Sequence, residues 1–182
     1  VLHFMRSVYR NTLLSEGFQV RRLQKIVNTE KERVKKVYAD RAQQNRTSGS
    51  KSIVSSLNSD STDYYSRVLQ GPNYKDIIGK NILPGDSIAG ALDNVTAELF
   101  FPDYLLVIYT KKLVEPEYKR QYPDAGTAQA SQLTLLNNKT IEIQANGSYY
   151  NPTDLMQLGY WSWSEKMATM LPYDFKPGKR VP

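Results

Sequence analysis

Residues 95–113, VTAELFFPDYLLVIYTKKL, decide the fold class of this sequence. Two runs rich in β-branched, aromatic and leucine side chains, at 95–101 and 104–113, flank Pro102-Asp103. Such runs are typical of strands, and a Pro-Asp pair is typical of a turn. The sequence therefore predicts two consecutive strands that are joined at Pro102-Asp103.

Two further strands are predicted within residues 131–144, SQLTLLNNKTIEIQ. Apolar and polar side chains alternate on both sides of Asn137-Asn138, and asparagine tolerates the left-handed backbone of tight turns. This pattern predicts a hairpin whose turn is Asn137-Asn138. Asn146-Gly147 marks another turn. The strand-rich half is therefore expected to form a mostly antiparallel sheet.

Helices are predicted near both ends of the chain. Apolar residues recur at helical spacing over residues 2–15, and Gly17 is placed to end that helix in a left-handed conformation. Ser162 and Glu165 have the spacing of a capping box, which predicts a helix that begins at Ser162 and ends at Pro172.

No strand-helix-strand repeat is evident, which favours an α+β fold with a mostly antiparallel sheet and an N-terminal and a C-terminal helix packed on it. Residues 18–23, FQVRRL, alternate like a strand, whereas residues 34–37 fit a strand or a short helix. We expect one domain over residues 1–175, with a Ser-rich mobile excursion at 41–63, and a tail at 176–182.

The composition excludes several kinds of catalytic site. There is no cysteine, which removes disulfides, thiolate metal ligands and thiol nucleophiles. His3 is the single histidine, so clustered imidazole ligands cannot form, and a Ser-His-Asp arrangement would need His3. We expect a structural role for His3 and no cofactor or metal. No apolar run approaches the roughly 20 residues of a membrane-spanning helix.

Positive charge is concentrated in the first part of the chain. Residues 1–51 have a net charge of +8, and the remaining residues have a net charge of −2. A basic region of this kind is either a solvated surface or a binding surface for phosphates, acidic proteins or anionic lipids. No nucleic-acid-binding motif accompanies the charge, so nucleic acid is not an expected partner.

Two short patterns resemble known sites but lack the necessary context. Ser48 and Lys51 have the spacing of a serine-lysine nucleophile, which requires a buried helix start rather than a Gly-Ser-rich stretch. Gly79-Lys80 resembles the end of a phosphate-binding loop, but position 74 is tyrosine where glycine is required. We therefore reject both sites.

Carboxylates in the strand-rich half leave one enzymatic alternative open. A glycosidase needs two carboxylates at a suitable separation, and sequence spacing does not supply that distance. Most of the candidates border turns, where acidic residues are common. The alternative is thus a glycan- or peptide-acting enzyme. Its candidate carboxylates are Asp86, Asp93, Glu98, Asp103, Glu115 and Glu117.

Both tryptophans lie in GYWSW, residues 159–163. Three roles are open for them: a structural lock that holds the last helix on the sheet, a sugar or peptide platform, and a membrane-interface belt. The lock is favoured because an apolar residue before a helix cap commonly packs against the first turns of that helix. Its expected members are Tyr160, Trp161, Trp163 and Met167.

Three segments together resemble the region that follows the carboxypeptidase regulatory-like domain in a family of exported envelope proteins of the Bacteroidota. The family's N-x-L-x-x-E-G-F is matched by Asn11, Leu14 (one place late), Glu16, Gly17 and Phe18. Its Y-L-x-V-x-Y-T is matched by Tyr104, Leu105, Val107, Tyr109 and Thr110. Its G-Y-W-x-W and L-P-x-D-[FY] are matched by Gly159 to Trp163 and by Leu171, Pro172, Asp174 and Phe175.

The resemblance implies an exported, outer-membrane-associated, non-catalytic protein that acts as an interaction module and accessory subunit of a cell-envelope complex. Its expected partners are envelope proteins, with membrane contact that is indirect or made through an upstream anchor, and with no small-molecule substrate. The family's β-sandwich regulatory domain is expected upstream and is missing from these 182 residues. The zinc-binding His and Glu of carboxypeptidases have no counterpart here. The other alternative is an anionic-surface binder that uses residues 1–51.

Exported proteins of this phylum receive O-glycans at Asp-[Ser/Thr]-apolar sites, so the resemblance also implies two modification sites. Ser87 in DSI, residues 86–88, follows a predicted turn, and Ser61 in DST, residues 60–62, fits the pattern more loosely. We expect the four N-x-[ST] sequons to be unmodified in a bacterial protein. They begin at Asn45, Asn94, Asn138 and Asn146.

Overall fold

The computed structural model describes residues 1–48 and 59–165, which form an α+β fold with two antiparallel sheets. This confirms the predicted fold class. The helices are α1 (Leu2–Tyr9), α2 (Thr29–Ser48), α3 (Ser59–Gln70), α4 (Pro116–Gln121) and α5 (Tyr160–Ser164). The strands are β1 (Phe18–Val27), β2 (Tyr74–Ile78), β3 (Ala89–Ala91), β4 (Thr96–Leu99), β5 (Tyr104–Leu113), β6 (Ala128–Leu135), β7 (Ile141–Gln144) and β8 (Leu155–Gly159).

The chain divides into two compact units where the sequence predicts one domain. The first unit combines Val1–Leu23 with Ile78–Pro182, and the second unit is Gln24–Ile77. The boundaries fall inside β1 and β2, so each of these strands contributes residues to both units. A composition-based reading gives no sign of this division because it occurs within strands rather than at a linker.

Strand β5 lies at the centre of the larger sheet of the first unit. It pairs antiparallel with β1, where Val20 lies opposite Val107, and with β6, where Leu105 lies opposite Leu133. Strand β8 pairs antiparallel with the other side of β6. The four named side chains lie on one face of the sheet and are buried, as the predicted alternation requires.

The core of the first unit combines side chains from both sheets and from α1. The smaller sheet, ordered β3-β4-β7, contributes the buried Leu99, Ile141 and Ile143, and α1 contributes Phe4 and Met5. Burial of a side chain of this size stabilises a fold by about 1.5–3 kcal/mol relative to its exposure. The apolar periodicities of the strands and of the first helix therefore converge on one core.

The first helix is shorter than the predicted range of 2–15. It ends at Tyr9, and Asn11 has a φ of 52°, a left-handed conformation through which an α-helix does not continue. The prediction that Gly17 caps this helix is wrong for the same reason. Gly17 does have a positive φ of 92°, but it lies in the turn before β1.

Asn137-Asn138 forms a turn but not a hairpin, which corrects the second strand prediction. Strand β6 pairs with β5 and β8, whereas β7 pairs with β4, so the turn passes the chain from the larger sheet to the smaller one. Asn137 has a φ of 57° in this turn, and Asp103, between β4 and β5, has a φ of 60°. Left-handed residues thus occupy two of the points where the chain changes sheet.

In the second unit, α2 and α3 each extend into the range 41–63, which the sequence predicts to be a Ser-rich mobile excursion. Helix α2 extends to Ser48 and α3 begins at Ser59, so the prediction of a loop is wrong at both ends of that range, and positions 49–58 lie outside the described residues. Val34 of α2 is fully buried, and Tyr38 and Tyr65 place their ring centroids 6.1 Å apart. A small apolar contact surface therefore supports helices that are otherwise polar.

Candidate functional site

The predicted aromatic lock is partly visible in the described residues. Tyr160 and Trp161 are 4% and 7% exposed, and Trp163 is half-buried. Met167 lies outside the described residues. Trp161 packs on Phe4 of α1, with 5.4 Å between their ring centroids. The Trp161 ring therefore joins the last described helix to the core of the first unit.

Helix α5 does not begin with the predicted capping box. Its N-cap is Gly159, which has a φ of 81°, and the Ser162 hydroxyl donates a hydrogen bond back to the Gly159 carbonyl oxygen at 2.8 Å. The backbone N–H of Trp161 donates to Ser131 Oγ at 3.0 Å. Glu165 accepts a hydrogen bond from the Val1 amino group instead of reaching back to the cap. Hydrogen bonds with Ser131 and with the Val1 amino group therefore take the place of the predicted capping box.

A four-ring aromatic cluster, formed by Tyr118, Tyr122, Tyr160 and Trp163, lies where α4 meets α5. Adjacent rings are 4.8–5.8 Å apart and are inclined to one another by 41–74°. A sugar or peptide platform presents flat ring faces to a ligand, whereas Tyr118 packs edge to face against Tyr160 and Trp163, and the other two pairs of rings are tilted. Their geometry favours the structural role over the platform role.

Two glutamine side chains at the edge of this cluster form hydrogen bonds with polar atoms of the rings. Trp163 Nε1 donates to Gln121 Oε1 at 2.9 Å, and Gln129 Nε2 donates to the Tyr160 hydroxyl at 3.1 Å. Burial, together with the nearby Glu115 carboxylate, raises the pKa of Tyr160 above its ordinary value. The Tyr160 hydroxyl and the Trp163 ring N–H are therefore hydrogen-bonded within the protein, as expected of a packed cluster.

His3 has a half-exposed side chain that contacts two aromatic rings and one carboxylate. Its ring packs edge-on against Phe18 and Tyr109, with centroid distances of 4.9 and 5.8 Å. Its Nε2 lies 3.1 Å from Glu16 Oε2, and this hydrogen bond lowers the pKa of Glu16. The imidazole thus bridges α1 and the turn before β1.

Two of the candidate catalytic carboxylates are paired with arginines. Asp103 Oδ2 lies 2.9 Å from a guanidinium nitrogen of Arg22, and Glu117 Oε1 lies 2.8 Å from one of Arg120. All four side chains are solvent-exposed, so these pairs contribute about 1 kcal/mol or less each. They are surface ion pairs rather than an acid-base couple.

Two other candidate carboxylates lie on the smaller sheet or beside it. Asp93 accepts the backbone N–H groups of Val95 and Thr96 at 2.7 and 2.8 Å, which lowers the pKa of Asp93. Glu98 of β4 lies directly opposite Glu142 of β7, on the face of the sheet that points away from the core. The register brings two carboxylates side by side on an outer sheet surface, whereas the enzymatic alternative needs them across a bound substrate.

A small pocket lies beside the turn between β4 and β5. Its volume is about 150 Å³, below the roughly 300 Å³ at which pockets for drug-sized ligands begin. Its charged side chains, Asp103 and Lys139, are already paired with Arg22 and Asp154. The lining consists of Phe100, Phe101, Pro102, Asp103, Leu135 and Lys139.

The two expected modification sites lie in helical segments. Ser87 is exposed in a short 3₁₀ helix, Gly85–Ser87, and its hydroxyl donates to the Pro84 carbonyl oxygen at 2.7 Å. Ser61 lies in α3, and its side chain is outside the described part of the chain. O-glycosylation stays a prediction at both serines, and the intact mass of the protein from native envelopes would test it.

Exposed apolar side chains lie close together on two paired strands of the second unit. We call this surface the edge ribbon: residues Gln24–Val27 of β1 and Tyr74–Ile77 of β2. Ile26, Val27, Tyr74 and Ile77 are 47%, 48%, 54% and 51% exposed, and all five residues of β2 are exposed. Grouped exposed apolar residues commonly mark interaction sites, and here both faces of one strand pair have them, so the edge ribbon is the candidate functional site.

Sequence reasoning missed the edge ribbon although a signal was present. Alternation in β1 ends after Arg21, and Ile26 and Val27 follow each other and therefore point to opposite faces. Residues 74–78, YKDII, likewise have apolar side chains on both faces. A strand that is apolar on both faces is expected in a buried sheet, and only the structure shows that this one is exposed.

No family model matches this chain, and neither does any curated protein or solved structure. The resemblance to the Bacteroidota envelope proteins therefore stays a prediction. None of the described helices is long and apolar enough to cross a membrane. Within residues 1–48 and 59–165, no group of three or more His, Asp or Glu side chains is arranged to hold a metal ion.

Proposed function

We propose that the chain is a non-catalytic interaction module of an exported, outer-membrane-associated protein, and that it serves as an accessory subunit of a cell-envelope complex. The observation that carries this proposal is the exposure of the edge ribbon, where four large apolar side chains are each about half accessible. Transfer of apolar surface out of water drives protein association, at roughly 25 cal/mol per Å². A protein partner would cover these side chains.

The chemistry of the two units supports the same proposal. In the first unit, the rings of Tyr118, Tyr160 and Trp163 pack against one another, and the Tyr160 hydroxyl and Trp163 Nε1 are hydrogen-bonded within the protein. In the second unit, tyrosine and aliphatic side chains remain exposed, and tyrosine is enriched at protein interfaces. The envelope location rests on the family resemblance, which also names envelope proteins as the partners.

Comparative affinity capture from solubilised outer membranes tests the proposal. The bait is the wild-type chain or the double variant Ile26→Lys/Ile77→Lys, which places two charges on the edge ribbon. The matched control is Val95→Lys/Leu113→Lys, which adds the same charge at two exposed apolar positions of the first unit. We expect wild type and control to recover the same stoichiometric envelope proteins, and the ribbon variant to lose them. Equal recovery by all three baits would contradict the proposal.

A further inference from the structure

We propose that the edge ribbon binds an extended segment of a second protein as an added β-strand beside β2, and that this segment has an acidic residue two positions away from a large apolar residue. The inference rests on the proposed interaction function, and it adds the mode of binding and the chemistry of the partner. The lines of support are the hydrogen-bonding geometry of β2, the side chains on its two faces, and the charge of the second unit.

Strand β2 is the terminal strand of its sheet and is hydrogen-bonded to β1. The Asn28 N–H donates to the Asn73 carbonyl oxygen at 2.8 Å, and Lys25 Nζ lies 3.3 Å from Asp76 Oδ1. Both contacts fit one antiparallel register, in which Lys25 lies opposite Asp76. In an antiparallel strand, the backbone N–H and C=O groups of every second residue point at the partner strand. Because those of Asn73 point at β1, those of Lys75 and Ile77 do so as well. The backbone N–H and C=O of Tyr74 point to the open edge.

The same register assigns the side chains to faces. Lys75 and Ile77 lie on one face with Ile26 of β1, because side chains alternate along each strand. Tyr74 lies on the other face with Val27. A strand added beside Tyr74 would therefore contact apolar side chains on both of its faces, and backbone hydrogen bonds would fix its position.

A second copy of the chain fits this edge poorly. In symmetric antiparallel pairing of two β2 strands, residues of equal parity oppose each other. The register centred on Asp76 places Asp76 opposite Asp76, and the neighbouring register places Lys75 opposite Lys75. Like charges directly opposite each other destabilise a sheet. Charged residues on an edge strand are also a known protection against self-association. Registers centred on Tyr74 or Ile77 avoid this opposition, but two copies of the chain, each with a net charge of +6, also repel each other, so the occupant is expected to be a different protein.

The charge of the second unit identifies the chemistry of that partner. Residues 24–77 include ten Lys/Arg and six Asp/Glu, a net charge of +4. Asp76 is already paired with Lys25, whereas Lys75 is exposed and forms no salt bridge with any residue that the structure describes. An acidic side chain on the added strand would lie beside Lys75, and an apolar one two positions away would lie beside Ile77.

Two synthetic peptides test the inference on the full 182-residue chain. The first is a capped nine-residue peptide in which threonine alternates with isoleucine and glutamate, so that Ile and Glu share one face. The second has lysine in place of glutamate. Binding is followed by the amide chemical shifts of ¹⁵N-labelled protein. We expect the Glu peptide to bind about tenfold tighter than the Lys peptide, with the largest shifts in β2.

Charge-reversal variants distinguish specific pairing with Lys75 from general electrostatic attraction between the peptide and the protein. Lys75→Glu is expected to reverse the preference, so that the Lys peptide binds more tightly. Lys36→Glu makes the same change of charge at another exposed lysine of the second unit and is expected to leave the preference unchanged. If both variants lowered binding equally, the peptide would be attracted by net charge alone, and the inference would be overturned.

Strand addition also requires the open backbone edge. Tyr74→Pro removes the outward N–H at a position where an edge strand tolerates proline, and Tyr74→Thr removes the ring but keeps the N–H. We expect Tyr74→Pro to weaken binding of the Glu peptide at least about tenfold relative to Tyr74→Thr. Equal binding by the two variants would exclude strand addition.

Failure of the inference is distinguishable from failure of the proposed function. If Ile26→Lys/Ile77→Lys loses its envelope partners while Tyr74→Pro retains them, the ribbon is an interface but strand addition is wrong. If neither variant changes the recovered partners, the proposed function fails as well. Loss of partners with both variants, together with the peptide preference, would support both.

Discussion

The four-ring aromatic cluster and the edge ribbon are both rich in large apolar side chains, but they differ in what surrounds these side chains. In the cluster, Tyr118 and Tyr160 are buried and Trp163 is half-buried, with polar partners from neighbouring elements. In the ribbon, Ile26 and Ile77 are about half exposed on a terminal strand pair. The same residue classes stabilise the fold in the first region and remain available to a partner in the second. Substitutions in the two regions should therefore have opposite consequences.

The largest effect on stability is expected from Trp161→Ala. Trp161 is buried against Phe4, and emptying a buried aromatic site costs about 3–5 kcal/mol. The sequence alone places both tryptophans in the lock, and the structure shows Trp163 to be half-buried. Trp163→Ala should therefore cost less, about 1–2 kcal/mol. Urea unfolding of both variants measures the difference, and an equal loss would show that both rings are equally buried in solution.

A second expected loss concerns the entry into α5. Gly159 has a φ of 81°, and a Cβ added there would lie 2.9 Å from the Ala130 carbonyl oxygen. Gly159→Ala should destabilise the first unit by about 1–3 kcal/mol because both the backbone conformation and the space favour glycine. Gly90→Ala is the control, since an added Cβ would meet no atom within 4 Å there. Thermal unfolding that is unchanged in both variants would refute this explanation of the helix start.

In the edge ribbon, loss of apolar side chains should hardly affect stability. Ile77→Thr and Ile26→Thr are each expected to change the free energy of unfolding by about 0.5 kcal/mol or less, as is usual for surface substitutions. Leu105→Ala, in the core of the first unit, should cost about 2–5 kcal/mol. Chemical denaturation compares the three variants. A large loss at either isoleucine would mean that the ribbon is needed for folding rather than for binding.

The smallest effect is expected from pH acting on the second unit. Hydrogen bonds from Arg33 and Tyr64 lower the pKa of Glu30 to about 2, so the folded carboxylate releases its proton more readily than the unfolded one. The contribution of Glu30 is therefore present above pH 4.5 and is lost as the pH falls toward 2. The protection factors of the α2 amides, which are corrected for the pH dependence of intrinsic exchange, should fall over this interval in the wild type and less so in Glu30→Gln. An identical pH dependence in the two proteins would contradict the assignment.

The sequence was sufficient to predict the fold class and several individual elements. The run of β-branched, aromatic and leucine side chains in β5 and the apolar spacing of α1 are local signals, and the structure confirms both elements. The change of sheet at Asp103 and Asn137 could not be predicted, because a turn residue reports its own backbone conformation and not the strand that follows it. Helix α2 was missed over residues 41–48 because its polar composition resembles that of a loop.

The candidate site was less predictable than the fold. The aromatic residues at 160–163 attract attention by their size, but their ring angles and hydrogen bonds depend on α4 and β6, which are distant in the sequence. Ile26 and Ile77 belong to strands that would be buried in most sheets. The exposure of a side chain depends on the tertiary structure, so the sequence does not show that Ile26 and Ile77 lie on the surface.

Hydrogen–deuterium exchange of the chain, measured free and after addition of solubilised envelope proteins, compares the two regions in a single experiment. We expect the peptide that covers Tyr74–Ile78 to become protected, because a partner strand would pair with the open edge of β2. The peptide that covers Pro116–Gln121, in the aromatic cluster, should exchange at the same rate in both states. Protection of the aromatic cluster with no change at β2 would contradict the assignment of the edge ribbon as the interaction surface.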